Sequence, residues 1–211
     1  MPTKIEFWFD FSSPYAYFAS LDIERRLGRF KKEILWRPYL LGVAYQTTGM
    51  RPLSLTPMRG DYARHDWQRI AELTGAPFTL CDDHPFPSQS LARAYYWLAE
   101  KDSDLAVVFA KAAFHRYFGE GRSLRSTEAV LTLAEAYTDN TYSLRCWLDT
   151  DEARQVLRER TAEALGKGVF GSPFFLVGRE PFWGWDRLPM IENWLERRAA
   201  AAAKPSTPGN A

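Results

Sequence analysis

Apolar and polar positions alternate at the start of the chain. Ile5, Phe7, Phe9 and Phe11 fall on one side, and Glu6, Trp8 and Asp10 on the other. A period of two with so many aromatic residues predicts a strand buried on at least one face. At Ser13-Pro14 the period changes. Ser is a preferred helix N-cap, and Pro is favoured at the first helical position, where its missing N–H costs nothing. From Pro14 to about Leu27, the apolar residues Tyr17, Phe18, Leu21 and Leu27 keep a helical spacing, and Gly28 supplies a stop. Glu33 to Leu40 reads as a second strand, and Pro38 assigns it to a sheet edge or a bulge. Strand, helix, strand is the minimal βαβ unit, with its two strands parallel.

Residues 41–56 read as a long loop, and long loops inside compact domains are more often functional than idle. Thr56-Pro57 repeats the cap-plus-Pro signal and opens a helix to about Leu73, broken at Gly75-Ala-Pro. The stretch from Phe78 to Pro87 is irregular. Four apolar stripes at helical spacing follow: Leu91 to Leu98, Leu105 to Ala113, Ala129 to Tyr137 and Ala153 to Leu165. Ser143 to Leu148 adds a short turn of helix. Strand signals return at Phe174 to Val177, with Glu180 to Trp183 as hairpin partner across Gly178-Arg179. A last helix buries Leu188, Ile191, Trp194 and Leu195, with Asp186 as candidate N-cap. The β-rich ends must share one sheet, because neither alone buries two faces. Residues 1–42 and 167–198 therefore form one domain, 43–166 an inserted helical domain, and 199–211 a disordered tail with nothing to pack.

Composition narrows the function classes. With 27 Lys and Arg against 26 Asp and Glu, the chain lacks the basic excess of a protein that neutralises nucleic-acid phosphates. The 8 Trp, 10 Tyr and 14 Phe suit an aromatic-lined pocket as well as a core. Cys81 and Cys146 have neither metal nor redox spacing, so each reads as a small buried side chain. No apolar run reaches the length of about 18 residues that a membrane helix needs. The first strand begins by Ile5, which leaves no room for a signal peptide, and the expected location is the cytoplasm. His65, His84 and His115 form no readable cluster, and there is no Gly-x-Ser-x-Gly elbow, so a hydrolase triad is unsupported. Each His reads as structural or exposed.

The order βαβ then ββα is that of thioredoxin, and a helical block inserted in it is the DsbA-like variant: an α/β fold with a large all-helical insertion. In that superfamily a Cys-x-x-Cys pair sits where the first strand enters the first helix. Those places hold Ser13-Pro14-Tyr15-Ala16 here, so no disulfide can form. The superfamily sets a cis-Pro beside that site, and Ser172-Pro173 is in the matching place. Phe-Asp-Phe-x-Ser-Pro-Tyr-x-Tyr from Phe9, Phe86-Pro87, Gly-Val-Phe-Gly-x-Pro from Gly168 and Trp-Gly-x-Asp-Arg from Trp183 go further. As a set they resemble the 2-hydroxychromene-2-carboxylate isomerase family, which is grouped with the kappa-class glutathione transferases. The likeness spans about residues 4–197.

The resemblance implies glutathione as cofactor and an aromatic 2-oxo acid or its cyclic hemiketal as substrate. It also implies cis–trans isomerisation and a homodimer. It gives Ser13 the role of hydrogen-bonding the glutathione sulfur. A thiol of pKa ~8.5 is lowered where a helix N-terminus and a hydrogen bond stabilise its anion. Ser13 is otherwise only an N-cap. Ser12 is its nearest rival, and the residue directly before Pro14 is the one that matches the redox cysteine. A cis-Pro exposes the backbone before it, so at Ser172-Pro173 the Ser172 N–H and C=O would pair with the cysteinyl backbone; otherwise the segment is an ordinary turn. Trp185 and Asp186 stand in the family segment that holds the γ-glutamyl end, with Asp186 meeting its ammonium or merely capping the last helix. The family often has Asn or Ser at the Trp185 position, which leaves a backbone contact there. Arg51 and Arg59 either hold the substrate carboxylate or are solvated. Gln89 stands where the family often has Asn. The rival readings are a kappa-like transferase and a non-catalytic thioredoxin-fold binding module.

Overall fold

A computed structural model describes residues 4–203. Strand β1 (Lys4–Phe9) leads through a tight turn into helix α1 (Pro14–Leu27), then strand β2 (Glu33–Pro38). Seven helices follow: α2 (Leu41–Thr48), α3 (Arg59–Thr74), α4 (Gln89–Ala99), α5 (Ser103–Phe114), α6 (Thr127–Ala134), α7 (Thr141–Leu148) and α8 (Asp151–Gly166). The hairpin β3 (Phe174–Val177) and β4 (Glu180–Trp183) and the helix α9 (Leu188–Ala203) close the described chain. This is the DsbA-like thioredoxin fold.

The sheet has the order β2-β1-β3-β4. β1 runs parallel to β2, with Phe7 opposite Trp36, and antiparallel to β3, with Phe7 opposite Phe175. β1 is thus central, and both its faces are buried. Phe7 and Phe9 join Phe18 of α1, Phe114 of α5 and Ile191 of α9 in one buried cluster that continues into the helical block through Leu98 and Val130. Trp8, on the other face, packs with Phe174, Leu176, Ala44, Ala164 and Val169. Burial of this kind contributes about 1.5–3 kcal/mol per large apolar side chain. β2 is an edge strand and Pro38 is its last residue, the position where a missing N–H does least harm.

Several sequence expectations are corrected. Residues 41–56 are not a loop: they hold α2 and a 3-10 turn at Leu53–Leu55. No side chain caps α2. Its start is fixed by a distant carboxylate, Asp10 Oδ2, which accepts from Leu41 N–H at 2.9 Å, and by burial of Leu41 and Ala44. Thr56 does not cap α3 either. Its hydroxyl donates back to Pro52 O at 3.1 Å, and the helix begins three residues later, after Met58 at φ 61°. Asp186 lies within a 3-10 turn, Trp185–Arg187, rather than capping the last helix. That helix extends to Ala203, so the first residues of the expected tail are helical; the others lie outside the described residues. Neither cysteine is buried. Cys146 is exposed on α7, which turns Leu144 and Leu148 inward instead, and Cys81 is half-buried. No helix among the described residues is long and apolar enough to cross a membrane.

Candidate active site

The turn from β1 into α1 forms one wall of a cavity of about 1010 Å³. Ser13, Arg51, Arg59, Gln89, Ser172, Pro173, Trp185 and Asp186 all line it. Sequence distance conceals this convergence: the Ser13 hydroxyl and the Ser172 carbonyl, 159 positions apart, are 2.9 Å from one another.

Ser13 is in extended conformation, and its Oγ accepts from Ala16 N–H at 3.2 Å, as an N-cap should. The same Oγ donates its hydrogen to Ser172 O at 2.9 Å. The side chain is almost wholly buried, yet it borders the cavity at the positive end of α1. The peptide bond Ser172–Pro173 is cis. Tyr39 Oη donates to Gly171 O at 2.7 Å and holds the turn from behind. Burial, then the nearby Asp10, keeps that phenol well above its ordinary pKa, so it stays a neutral donor. No hydrogen bond from Ser172 N–H is formed among the described residues.

Asp10 organises this site, although in the sequence it is only one polar member of an alternating strand. It is 4% exposed. Its Oδ1 accepts from Ser12 N–H, Ser12 Oγ and Ser88 Oγ, each at 2.8 Å, and its Oδ2 accepts from Leu41 N–H at 2.9 Å. Its own N–H donates to Ser172 Oγ at 2.9 Å. One residue therefore ties four segments together: its carboxylate joins the β1–α1 turn, the start of α2 and the segment before α4, and its backbone N–H holds the cis-Pro turn. The Ser12 hydroxyl is committed to it, which leaves Ser13 as the hydroxyl placed against the cis-Pro turn. A signal was present: a run of buried-type residues that holds an Asp three positions before the cap.

The far wall carries charge and aromatics. Arg51 and Arg59 are exposed at the rim, and neither forms an ion pair among the described residues. Tyr45 lines the cavity nearby; burial pushes its phenol up to about 12, Asp10 adds to this, and the Arg59 guanidinium opposes it. Gln89 is exposed at the start of α4, while its neighbour Ser88 reaches the buried carboxylate. Trp185 packs against Phe18 with ring centroids 6.3 Å apart. Asp186 is exposed and faces Arg187 at 3.3 Å.

His84 also belongs to this wall, whereas His65 and His115 are exposed. Its ring stands edge-on to Trp67 at 5.5 Å and to Phe118 at 6.0 Å. Burial, then the charge of Arg64, lowers its pKa to about 4, so the imidazole is neutral at neutral pH. Among the described residues its Nδ1 has no hydrogen-bond partner, and neither does Nε1 of Trp67.

Fold and site together define a class: a thioredoxin-type scaffold with a hydroxyl and a methyl where a redox pair would sit. Such a site cannot cycle a disulfide of its own. The chain belongs to the DSBA-like thioredoxin domain family, whose profile matches residues 4–196. It is 28% identical over 210 residues to glutathione s-transferase kappa 2 of Caenorhabditis elegans, covering 92% of this chain and 93% of that protein. It is also 28% identical over 201 residues to the 2-hydroxychromene-2-carboxylate isomerase of Sphingobium xenophagum, covering 92% and 99%. A solved 2-hydroxychromene-2-carboxylate isomerase superposes with a TM-score of 0.85 at 24% identity, covering 97% of this chain and 100% of that one.

Proposed function

We propose that the protein is a glutathione-dependent isomerase of an aromatic 2-oxo acid or its cyclic hemiketal, with the glutathione sulfur held at Ser13. The observation that carries the reading is the meeting of Ser13, at the N-terminus of α1, with the cis Ser172–Pro173 turn on one cavity wall. Relatives named as a glutathione transferase and as an isomerase support it.

The residues present fit glutathione. It is an extended peptide, and the free Ser172 N–H beside a cis-Pro is a ready partner for its cysteinyl backbone. The 3-10 turn bearing Trp185 and Asp186 lies on the same cavity for the γ-glutamyl end. When bound, glutathione supplies a thiolate nucleophile that adds to a conjugated carbon and is expelled once a single bond has rotated. Ser13 donates to the sulfur, and the positive end of α1 favours its anionic form. Arg51 and Arg59 bind the substrate carboxylate from the rim. Gln89 orients the substrate from α4. Neutral His84 and Trp67 form part of the wall against which an aromatic ring packs. The same reading expects a cytoplasmic homodimer.

The test is turnover of such a substrate with and without glutathione, in wild type and Ser13→Ala. Isomerised product with glutathione regenerated supports the reading, and unchanged turnover in Ser13→Ala removes Ser13 from its role. A stable thioether product instead assigns a kappa-like transferase. Absence of glutathione binding at millimolar concentration leaves only the non-catalytic module.

A further inference from the structure

We propose that the Ser172 carbonyl decides which thiols this site activates, by holding the Ser13 hydroxyl until a ligand N–H replaces it. The inference rests on the glutathione reading above and goes one step past it. Ser13 Oγ donates to Ser172 O at 2.9 Å and accepts from Ala16 N–H at 3.2 Å. A serine hydroxyl has a single hydrogen to donate. While that hydrogen points at Ser172, it stabilises no sulfur. The carbonyl, with two lone pairs, is not the scarce partner; the hydrogen is.

Turning the hydroxyl toward the cavity leaves Ser172 O without its donor. Ser172 is only 9% exposed. The carbonyl is also unable to swing away. Tyr39 clamps the preceding residue at 2.7 Å, and Asp10 N–H clamps Ser172 Oγ at 2.9 Å. An unpaired buried acceptor of this kind costs about a factor of ten in the equilibrium. One class of ligand removes that cost. In an N-acylated cysteine, the amide N–H and the CH2–SH leave the same carbon. The N–H can reach Ser172 O while the thiol reaches Ser13. The two hydrogen bonds exchange: N–H replaces O–H at the carbonyl, and O–H turns to the sulfur, whose proton leaves to solvent. A thiol lacking that N–H meets a hydroxyl still turned inward. Peptide recognition and sulfur activation are thus one event, and specificity for N-acyl cysteine peptides is built into the cap itself.

The experiment compares glutathione with its depsipeptide analogue, in which an ester oxygen replaces the γ-glutamyl–cysteinyl N–H. Each bound thiol is titrated by its ultraviolet thiolate absorbance. In wild type the glutathione thiol should titrate about one pH unit below that of the depsipeptide, the factor of ten expected above. The difference should vanish in Ser13→Ala and return in Ser13→Thr, which keeps the hydroxyl. Equal thiol pKa values for the two ligands in wild type overturn the exchange, and that measurement needs no variant to fold. A difference that persists in Ser13→Ala overturns it too. Glutathione that binds with no such difference leaves the functional reading intact; glutathione that fails to bind at all overturns both.

Discussion

Acid should unfold this protein partly through one ring. His84 has a pKa of about 4 in the folded chain, set first by burial and then by the charge of Arg64. In the unfolded chain the imidazole titrates near its ordinary value of about 6.5. The folded pKa is the lower one, so the unfolded state takes up the proton first as pH falls. Stability from this group is therefore fully present above pH ~6.5 and declines as pH drops toward ~4, where the folded form titrates as well. The linkage amounts to roughly 2 kcal/mol lost between pH ~7 and ~5, and about 3 kcal/mol by pH ~4. Urea unfolding at several pH values measures it. Other groups also respond to acid, among them Asp83, held below the carboxylate range by hydrogen bonds from Ser123, Cys81 and Tyr117 that outweigh burial. The comparison that isolates His84 is with His84→Phe, which keeps a ring against Trp67 and Phe118 but cannot titrate. The stability difference between the two proteins should shift in favour of the variant by those amounts. A difference that stays flat from neutral to acid pH refutes the reasoning.

Three further outcomes are expected. Asp10→Ala leaves Leu41 N–H and two serines without their buried acceptor, and should lower unfolding stability by about 2–4 kcal/mol in denaturant titration. Gly171→Ala places a Cβ within 2.6 Å of Trp183 Cδ1. Trp183 is half-exposed and can give way, so stability should fall by only about 1 kcal/mol while the tryptophan emission shifts and, on the proposed function, calorimetry should show weaker glutathione binding. If the proposed function holds, Arg59→Ala should raise KM for a carboxylate substrate about tenfold, with a much smaller change in kcat, because the proposed charge-assisted contact would be lost from ground and transition state alike.

The succession of strands along the chain and most helices were legible in the sequence because those features are local. Phe7 and Phe9 alternate, Leu91 to Leu98 keep one stripe, and Ser13-Pro14 announces a helix with its own atoms. What stayed hidden depends on partners far along the chain. α2 has no cap of its own and is begun by Asp10, 31 positions earlier. Thr56 carries the correct residue type for a cap but spends its hydroxyl on Pro52. The candidate site divides in the same way. Ser13 and Pro173 were legible because a known motif fixes their places. Asp10 and Ser88 were not, because a buried hydrogen-bond hub has no periodicity and no fixed spacing. His84 looked unremarkable because nothing in its neighbours reveals a cavity.

The position of β1 has a consequence in time. Its partner β2 follows almost at once, but β3, which pairs with its other edge, lies beyond the whole helical block. Asp10 and its partner Ser172 are 162 residues apart. At a synthesis rate of about 5–20 residues per second, a nascent chain carries an open edge bearing Phe7 and Trp8 for roughly 8–30 seconds. No fragment released during that interval contains both Ser13 and the turn that faces it. Chains stalled in the insertion should be prey for strand-pairing aggregation or for chaperones, and they should be catalytically silent however well their helices have formed.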